Sequence, residues 1–334
     1  MRAPQGALVV DAVAKAYACT MSFDFDFDAA VQAPFRMQPG LRRLAAGAPQ
    51  LTPVAAGSRH QREKLAVLCA FADQALVARP GFDPAPALAA LCGQAAAEHP
   101  DHFAWDGRAA TATRLGVRVV DGEVQHLAGG TFGLGDELPR CLALQAPAWR
   151  LPALLALTFV EDLAIVDATD ASVPWMAVAL PSHWAPEDKV GLHFAQVHAP
   201  VADAERVRQA GQALMRLVSG PERWERFVWN VTDHPRLHAH PRRVPSPRWQ
   251  HEPGTIGLPR AWLRSERQTF IPLPGRAQSV FTIAVDVQPL ADVIDSHGRA
   301  QRLAEAVASM SPEVLAYRGL TSVRDALLDW LATR

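Results

Sequence analysis

The four cysteines of this chain, Cys19, Cys69, Cys92 and Cys141, stand far apart, with no CxxC pair and no histidine at metal-ligand spacing. Zinc ribbons, thioredoxin-like redox motifs and plant-type iron–sulfur sites all need closer grouping. The thiols are therefore read as buried or idle, and any electrons the chemistry needs must be delivered by another protein. Charge of one sign is also missing. A formal net charge of -1 leaves no basic field to hold nucleic acid or an anionic membrane. No apolar run reaches the roughly 18 residues of a membrane helix. GxSxG, GxxxxGK[ST], GxGxxG and HExxH are all absent, so hydrolase, P-loop, Rossmann and zincin readings lack their minimum signal. The first residues have the outline of a secretory leader, but Asp11 and Lys15 interrupt its apolar core, and a cytoplasmic protein is expected. Met21 is an alternative start, which would make residues 1–20 an upstream extension.

What is present is an ordinary globular composition, 49% hydrophobic and 20% charged over 334 residues, enough to bury a sizeable core. Residues 59 to 98 carry helical periodicity and form an expected helical layer. Between 111 and 135 short β-like runs take over, broken by Asp121-Gly122, a strong hairpin signal. GTFGLG at 130 to 135 is read as a turn. Strands are expected at Leu163 to Val166 and through VPWMAVAL. An amphipathic helix is expected over 203–219, closed by Gly220 and Pro221. RFVWNVTD reads as a strand, 234 to 260 as a long surface connection, and ERQTFIPLP and SVFTIAVDVQPL as two strands joined at Gly275. Helices near 299–309 and 320–332 end the chain.

Seven of the twelve histidines, His183, His193, His198, His234, His238, His240 and His251, fall between 183 and 251, interleaved with Trp and Arg. His238-Ala239-His240 places two imidazoles on one face of an extended segment, which keeps a metal-dependent hydrolase open. A haem site asks for an axial His, an aromatic slot and Arg partners for the propionates. The region supplies His198 just before Pro200. It also supplies Trp184, Phe194, Trp229, Phe270 and Phe281 as slot walls, and Arg264 and Arg267 as propionate partners.

Several strings together resemble the haem-dependent oxidative N-demethylase family: PSHWAPEDKVGLHFAQVHAPV, EDLAIV at 161–166, VWNVTD at 228–233, and LRSERQTFIPLP followed by SVFTIAVDVQPL. PFRMQPGLRRL at 34–44 is similar to that family's N-terminal segment. The resemblance spans roughly residues 22–325 and is sharpest in HxPV around His198 and RxERQT from Arg264 to Thr269. It implies an α+β fold, a PAS-like antiparallel sheet flanked by helices, with an N-terminal helical layer and C-terminal helices. The expected organisation is an extension over 1–21, a helical and hairpin region over 22–150, a PAS-like haem core over 151–298 and helices over 299–334.

The implied chemistry is oxidation of a small secondary amine such as dimethylamine with O2. The cofactor is haem b, and the electrons come from NADPH through partner subunits carrying FMN and a 2Fe-2S cluster. His198 is the expected axial iron ligand and His193 its substitute. Arg264, Trp229 and Trp184 are expected at the cofactor, and Glu266 with Arg267 at the reacting amine, since a buried alkylammonium needs a carboxylate partner. Glu161 and Asp162 are possible assistants. The same pocket also suits a haem-binding sensor of gas or amine that does not turn over.

Overall fold

The computed structural model describes residues 23–334 except 129–132, 134, 203–204, 206–208, 246–248, 250–257 and 259. Eleven strands occur among the described residues: β1 Arg42–Arg43, β2 Leu76–Ala78, β3 Phe103–Trp105, β4 Ala109–Ala112, β5 Val117–Val120, β6 Glu123–His126, β7 Asp162–Asp167, β8 Ser172–Ala177, β9 Trp224–Thr232, β10 Trp262–Pro272 and β11 Gln278–Pro289. Seven of them form one antiparallel sheet in the order β1-β9-β10-β11-β7-β8-β2, and β3 to β6 form a separate meander. The α+β expectation is met. β1 and β2, both from before residue 151, join the edges of this sheet.

Local chemistry accounts for the elements. β5 and β6 pair Val120 with Glu123, leaving Asp121 and Gly122 as a two-residue turn with φ 50 and φ 78. A type I′ turn needs positive φ at both positions, which Asp-Gly tolerates. The helix Arg59–Ala70 is capped by the Ser58 side chain, which accepts from Gln61 N. The helices Ala85–Glu98, Glu137–Leu144 and Pro147–Thr158 pack with it and with the meander into the largest core, around Leu91, Cys92, Phe103, Leu142 and Leu154 to Leu157. A second core joins Trp229, Val231 and Leu263 to the C-terminal helices His297–Ala308, Pro312–Tyr317 and Arg324–Leu331. A third, smaller core lies under the helices Phe194–Val197 and Gly211–Val218.

Two expectations change. The run ending at Arg79 is not wholly helical, because Leu76–Ala78 turns outward to pair with β8. Residues 237–240 are not a surface connection: Leu237, Ala239 and His240 are buried, and Ala239 bridges to Ser182 in parallel, while Pro241, Arg242, Arg243 and Pro245 are exposed as expected. The Pro and Arg content disguised a threaded segment whose backbone polar groups are met by the buried Arg264, by the half-buried Glu63 and by the backbone of Pro181 and His183. The expected helix over 203–219 is described over Gly211–Val218, and the GTFGLG run and His251 lie mostly or wholly outside the described residues. Among the described residues, no helix is long and apolar enough to cross a membrane.

The acidic pair at the start of β7, Glu161 and Asp162, is buried. Lys64 and Asp162, both fully buried, pair at 3.2 Å, and Lys64 also donates to the Phe159 and Glu161 carbonyls. Glu161 accepts from Thr52 N at 2.9 Å, yet burial pushes its carboxyl up to about 7 from an ordinary 4.5. An acid raised in the folded state binds more protons folded than unfolded between those values, so stability falls as pH rises from about 4.5 to 7. Glu161→Gln, which keeps an acceptor for Thr52, should flatten that limb and leave the variant more stable than the parent at pH 8, by on the order of 3 kcal/mol. Urea midpoints at pH 5 and pH 8 check this; parallel losses in both proteins would refute it.

Candidate functional site

Neighbouring residues of a strand face opposite ways, and the register of β9, β10 and β11 sorts the RxERQT segment accordingly. Arg264, Glu266, Gln268 and Phe270 lie opposite Asn230, Val228, Arg226 and Trp224 of β9. On the other side they lie opposite Val287, Val285, Ile283 and Phe281 of β11. One sheet face therefore gathers Arg226, Asn230, Arg264, Glu266 and Gln268 beside the stacked rings of Phe270 and Phe281, whose centroids are 4.8 Å apart. Leu263, Ser265, Arg267 and Thr269 face the other way.

Arg264 anchors this face. Its guanidinium donates to the carbonyls of Leu180, Pro181, Arg236 and Leu237 and, through Nε, to Ser182 Oγ at 2.7 Å. Burial pushes it down to about 10, with Glu266 opposing the shift, and at neutral pH it remains a cation. Ser182 in turn donates to Glu266 Oε1, and Gln268 Nε2 donates to Oε2 at 2.6 Å. Arg226 stands opposite Gln268 on β9. Its Nε is buried without a hydrogen-bond partner, and burial lowers its pKa while the nearby Glu266 charge opposes the shift.

His198 ends the helix Phe194–Val197 beside the same core. Its Nδ1 lies 2.9 Å from the Phe194 carbonyl oxygen. A carbonyl only accepts, so the neutral ring carries its proton on Nδ1 and keeps the Nε2 lone pair, the tautomer of a metal-ligating imidazole. Burial lowers its pKa, offset in part by that hydrogen bond and reinforced by Arg226 and Lys189. Two contacts set the helix. Lys189 Nζ donates to Val197 O at 2.9 Å, and Gly211 lets the Phe194 ring approach so closely that an added Cβ would meet it at 2.7 Å.

Of the aromatic wall candidates, Trp184, Phe194, Phe270 and Phe281 meet in the third core. Trp229 does not join them. It occupies the opposite sheet face, packed on the C-terminal helices with its Nε1 donating to Ala30 O. Arg267 is likewise turned away from Glu266, pairing with Glu225 at 3.0 Å and donating to Pro49 O. His193 is exposed; its Nδ1 accepts from Ala195 N as the helix cap. The donors of Arg264 are committed to the protein itself. His238 and His240 stack 6.1 Å apart, but His240 spends Nε2 on Glu187 and Nδ1 on Arg242 N. Among the described residues no group of three or more His, Cys, Asp or Glu is arranged to hold a metal ion.

Sequence reasoning missed Ser182 and Arg226 as members of this face. The signal for Arg226 was present: in RFVWNVT, Arg226 and Asn230 alternate with Phe227, Trp229 and Val231. His183 adds a second polar corner. It holds φ 61, donates its backbone N–H to Ala239 O, meets the His234 ring edge-on at 5.3 Å, and is pushed by burial to about 4.

The antiparallel sheet thus carries one face with a hydrogen-bonded carboxylate and buried cations, next to a cluster of aromatic rings and an imidazole that keeps its Nε2 lone pair. The chain matches the family model described as haem-dependent oxidative N-demethylase, alpha subunit-like, over residues 60–328, and it belongs to that family. It is thus a member of a haem-dependent oxidoreductase family whose name implies further subunits. The matched stretch contains every candidate site residue, and PFRMQPGLRRL lies before it.

The committed donors make Arg264 structural. Arg264→Ala strands the buried carbonyls of Leu180 and Leu237, removes a donor from those of Pro181 and Arg236, and should cost on the order of 3–5 kcal/mol. Arg267→Ala should cost only about 1 kcal/mol, because Glu225 keeps its ion pair with Arg42. Chemical denaturation midpoints distinguish the two; equal losses would contradict this ranking.

Proposed function

We propose that the chain is the haem-carrying subunit of a cytoplasmic N-demethylase with a PAS-like core, oxidising a small secondary amine such as dimethylamine. In this reading electrons arrive from NADPH through separate subunits holding FMN and a 2Fe-2S cluster, and this chain itself holds only haem b. The observation that carries the proposal is a hydrogen-bonded carboxylate on one sheet face, Glu266, and an imidazole at the end of the helix Phe194–Val197, His198, which keeps its Nε2 lone pair; the Arg226 charge acts on both.

The residues present fit a haem. A single axial side chain suffices to hold the iron, and His198 would supply it. Trp184, Phe194, Phe270 and Phe281 would wall the porphyrin. Arg226, with its unpartnered buried Nε, is better placed than Arg264 or Arg267 to meet a propionate, because Arg264 has committed its donors and Arg267 faces away. When bound, the haem supplies the means to activate O2. The remaining roles belong to side chains. Glu266 holds the substrate ammonium and orients its N–H bonds, the surrounding aromatic residues exclude water, and Arg226 keeps the pocket from carrying an uncompensated negative charge. Arg267 and Trp229, on the far face, support the sheet.

An ultraviolet–visible spectrum of protein expressed with haem precursor, taken before and after dithionite and again with dimethylamine, tests this. A Soret band that shifts with amine is expected. His198→Ala should lose haem while His193→Ala keeps it. Glu266→Gln should retain the haem spectrum but bind amine at least tenfold more weakly. A colourless protein that fails to take up haemin refutes the haem role, and unchanged amine affinity in Glu266→Gln removes that residue.

A further inference from the structure

Glu266 is held at both oxygens. Ser182 Oγ donates to Oε1, and Gln268 Nε2 donates to Oε2 at 2.6 Å. The direction of the Ser182 bond is forced. Its hydroxyl has one proton, and Arg264 Nε already donates to its oxygen at 2.7 Å. A guanidinium has no acceptor, so the only place for the Ser182 proton is toward Glu266. Arg264 is itself immobilised by the carbonyls of residues 180, 181, 236 and 237, and Ser182 is tied to Ala239 through the parallel bridge. The chain Arg264 to Ser182 to Glu266 therefore runs one way, from a permanent cation to a carboxylate. Gln268, two residues along the same strand, fixes the second oxygen on the same face.

We propose that Ser182 and Gln268 are positioning residues that hold Glu266 as an aligned carboxylate, so that its remaining lone pairs accept the N–H bonds of a protonated secondary amine. The pair selects for charge: a carboxylate whose oxygens already accept from fixed donors has no proton to offer a neutral or anionic ligand. Three further titratable groups interact with Glu266: Arg226 on β9, Arg264 on β10 and Tyr317 from the C-terminal helices. None of them replaces a donor at Oε1 or Oε2. This inference rests on the reading of Glu266 as the amine partner.

The test is a dimethylamine titration of the haem-loaded protein, followed through the Soret band across pH 5 to 9, for the parent, Ser182→Ala, Gln268→Ala, Ser182→Thr and Glu266→Gln. Ser182→Ala and Gln268→Ala should each weaken amine binding about tenfold. Each should also move upward the pH at which binding is half lost on acidification, because a carboxylate deprived of a donor is protonated more readily. Ser182→Thr, which keeps the hydroxyl, should restore both. The two alanine variants are independent, so a folding failure in one leaves the other to decide. If Glu266→Gln weakens binding while both alanine variants bind amine with the parent's affinity and pH limb, the positioning role is overturned and the amine reading stands. If Glu266→Gln binds as the parent does, the amine reading fails and this inference falls with it.

Discussion

The buried guanidinium of Arg264 is the constraint on which the site depends. A sheet supplies its own backbone hydrogen bonds, but the irregular segments at 180–182 and 236–237 include the buried carbonyls of Leu180 and Leu237, which no strand pairs. One planar cation with five donors meets them both and pins them against the same strand that carries Glu266. Burying the charge is costly, as the downward shift of Arg264 indicates, and the cost is tolerable because its donors are so fully used. The position of Ser182, the threading of residues 234–240 and the orientation of the Glu266 carboxylate all follow from it.

A second buried cation performs the same service elsewhere in the sheet. Lys64 reaches from the helix Arg59–Ala70 to Asp162 and to two carbonyls just before β7. Asp162 also accepts from Leu180 N at 2.6 Å. The stretch around residue 180 is thus gripped from both sides, by Lys64 through Asp162 and by Arg264 directly. The sheet face is shaped by polar side chains as much as by the apolar cores beneath the helices.

The regular elements were largely legible in the sequence. The β10 and β11 strands with their turn at Gly275, the Asp121-Gly122 hairpin and the terminal helices carry periodicity and turn chemistry that local rules read directly. The threaded segment at 234–240 was not legible, because its Pro, Arg and His content matches that of a solvated loop. Its burial depends on Arg264 and Glu63, which lie far off in sequence; Glu63 accepts from both Leu237 N and His238 N. Glu266 and His198 were chosen as candidates from a motif, while Arg267 and Trp229 were grouped with them by proximity in sequence. Period-two alternation alone separates Glu266 from Arg267. Trp229 could be assigned to the far face only once the register of β9 against β10 was known, and that register is a long-range property.

The same alternation limits how such a site can change over evolutionary time. β10 is paired along its whole length with β11 and along most of it with β9. Inserting or deleting one residue there would exchange the two faces, presenting Arg267 and Thr269 where Glu266 and Gln268 now stand and burying a carboxylate in the opposite core. Lineages of this architecture can therefore diversify their ligands by replacing side chains along β10, or by changing the length of the segments that cross above it. The strand itself must keep its residue count.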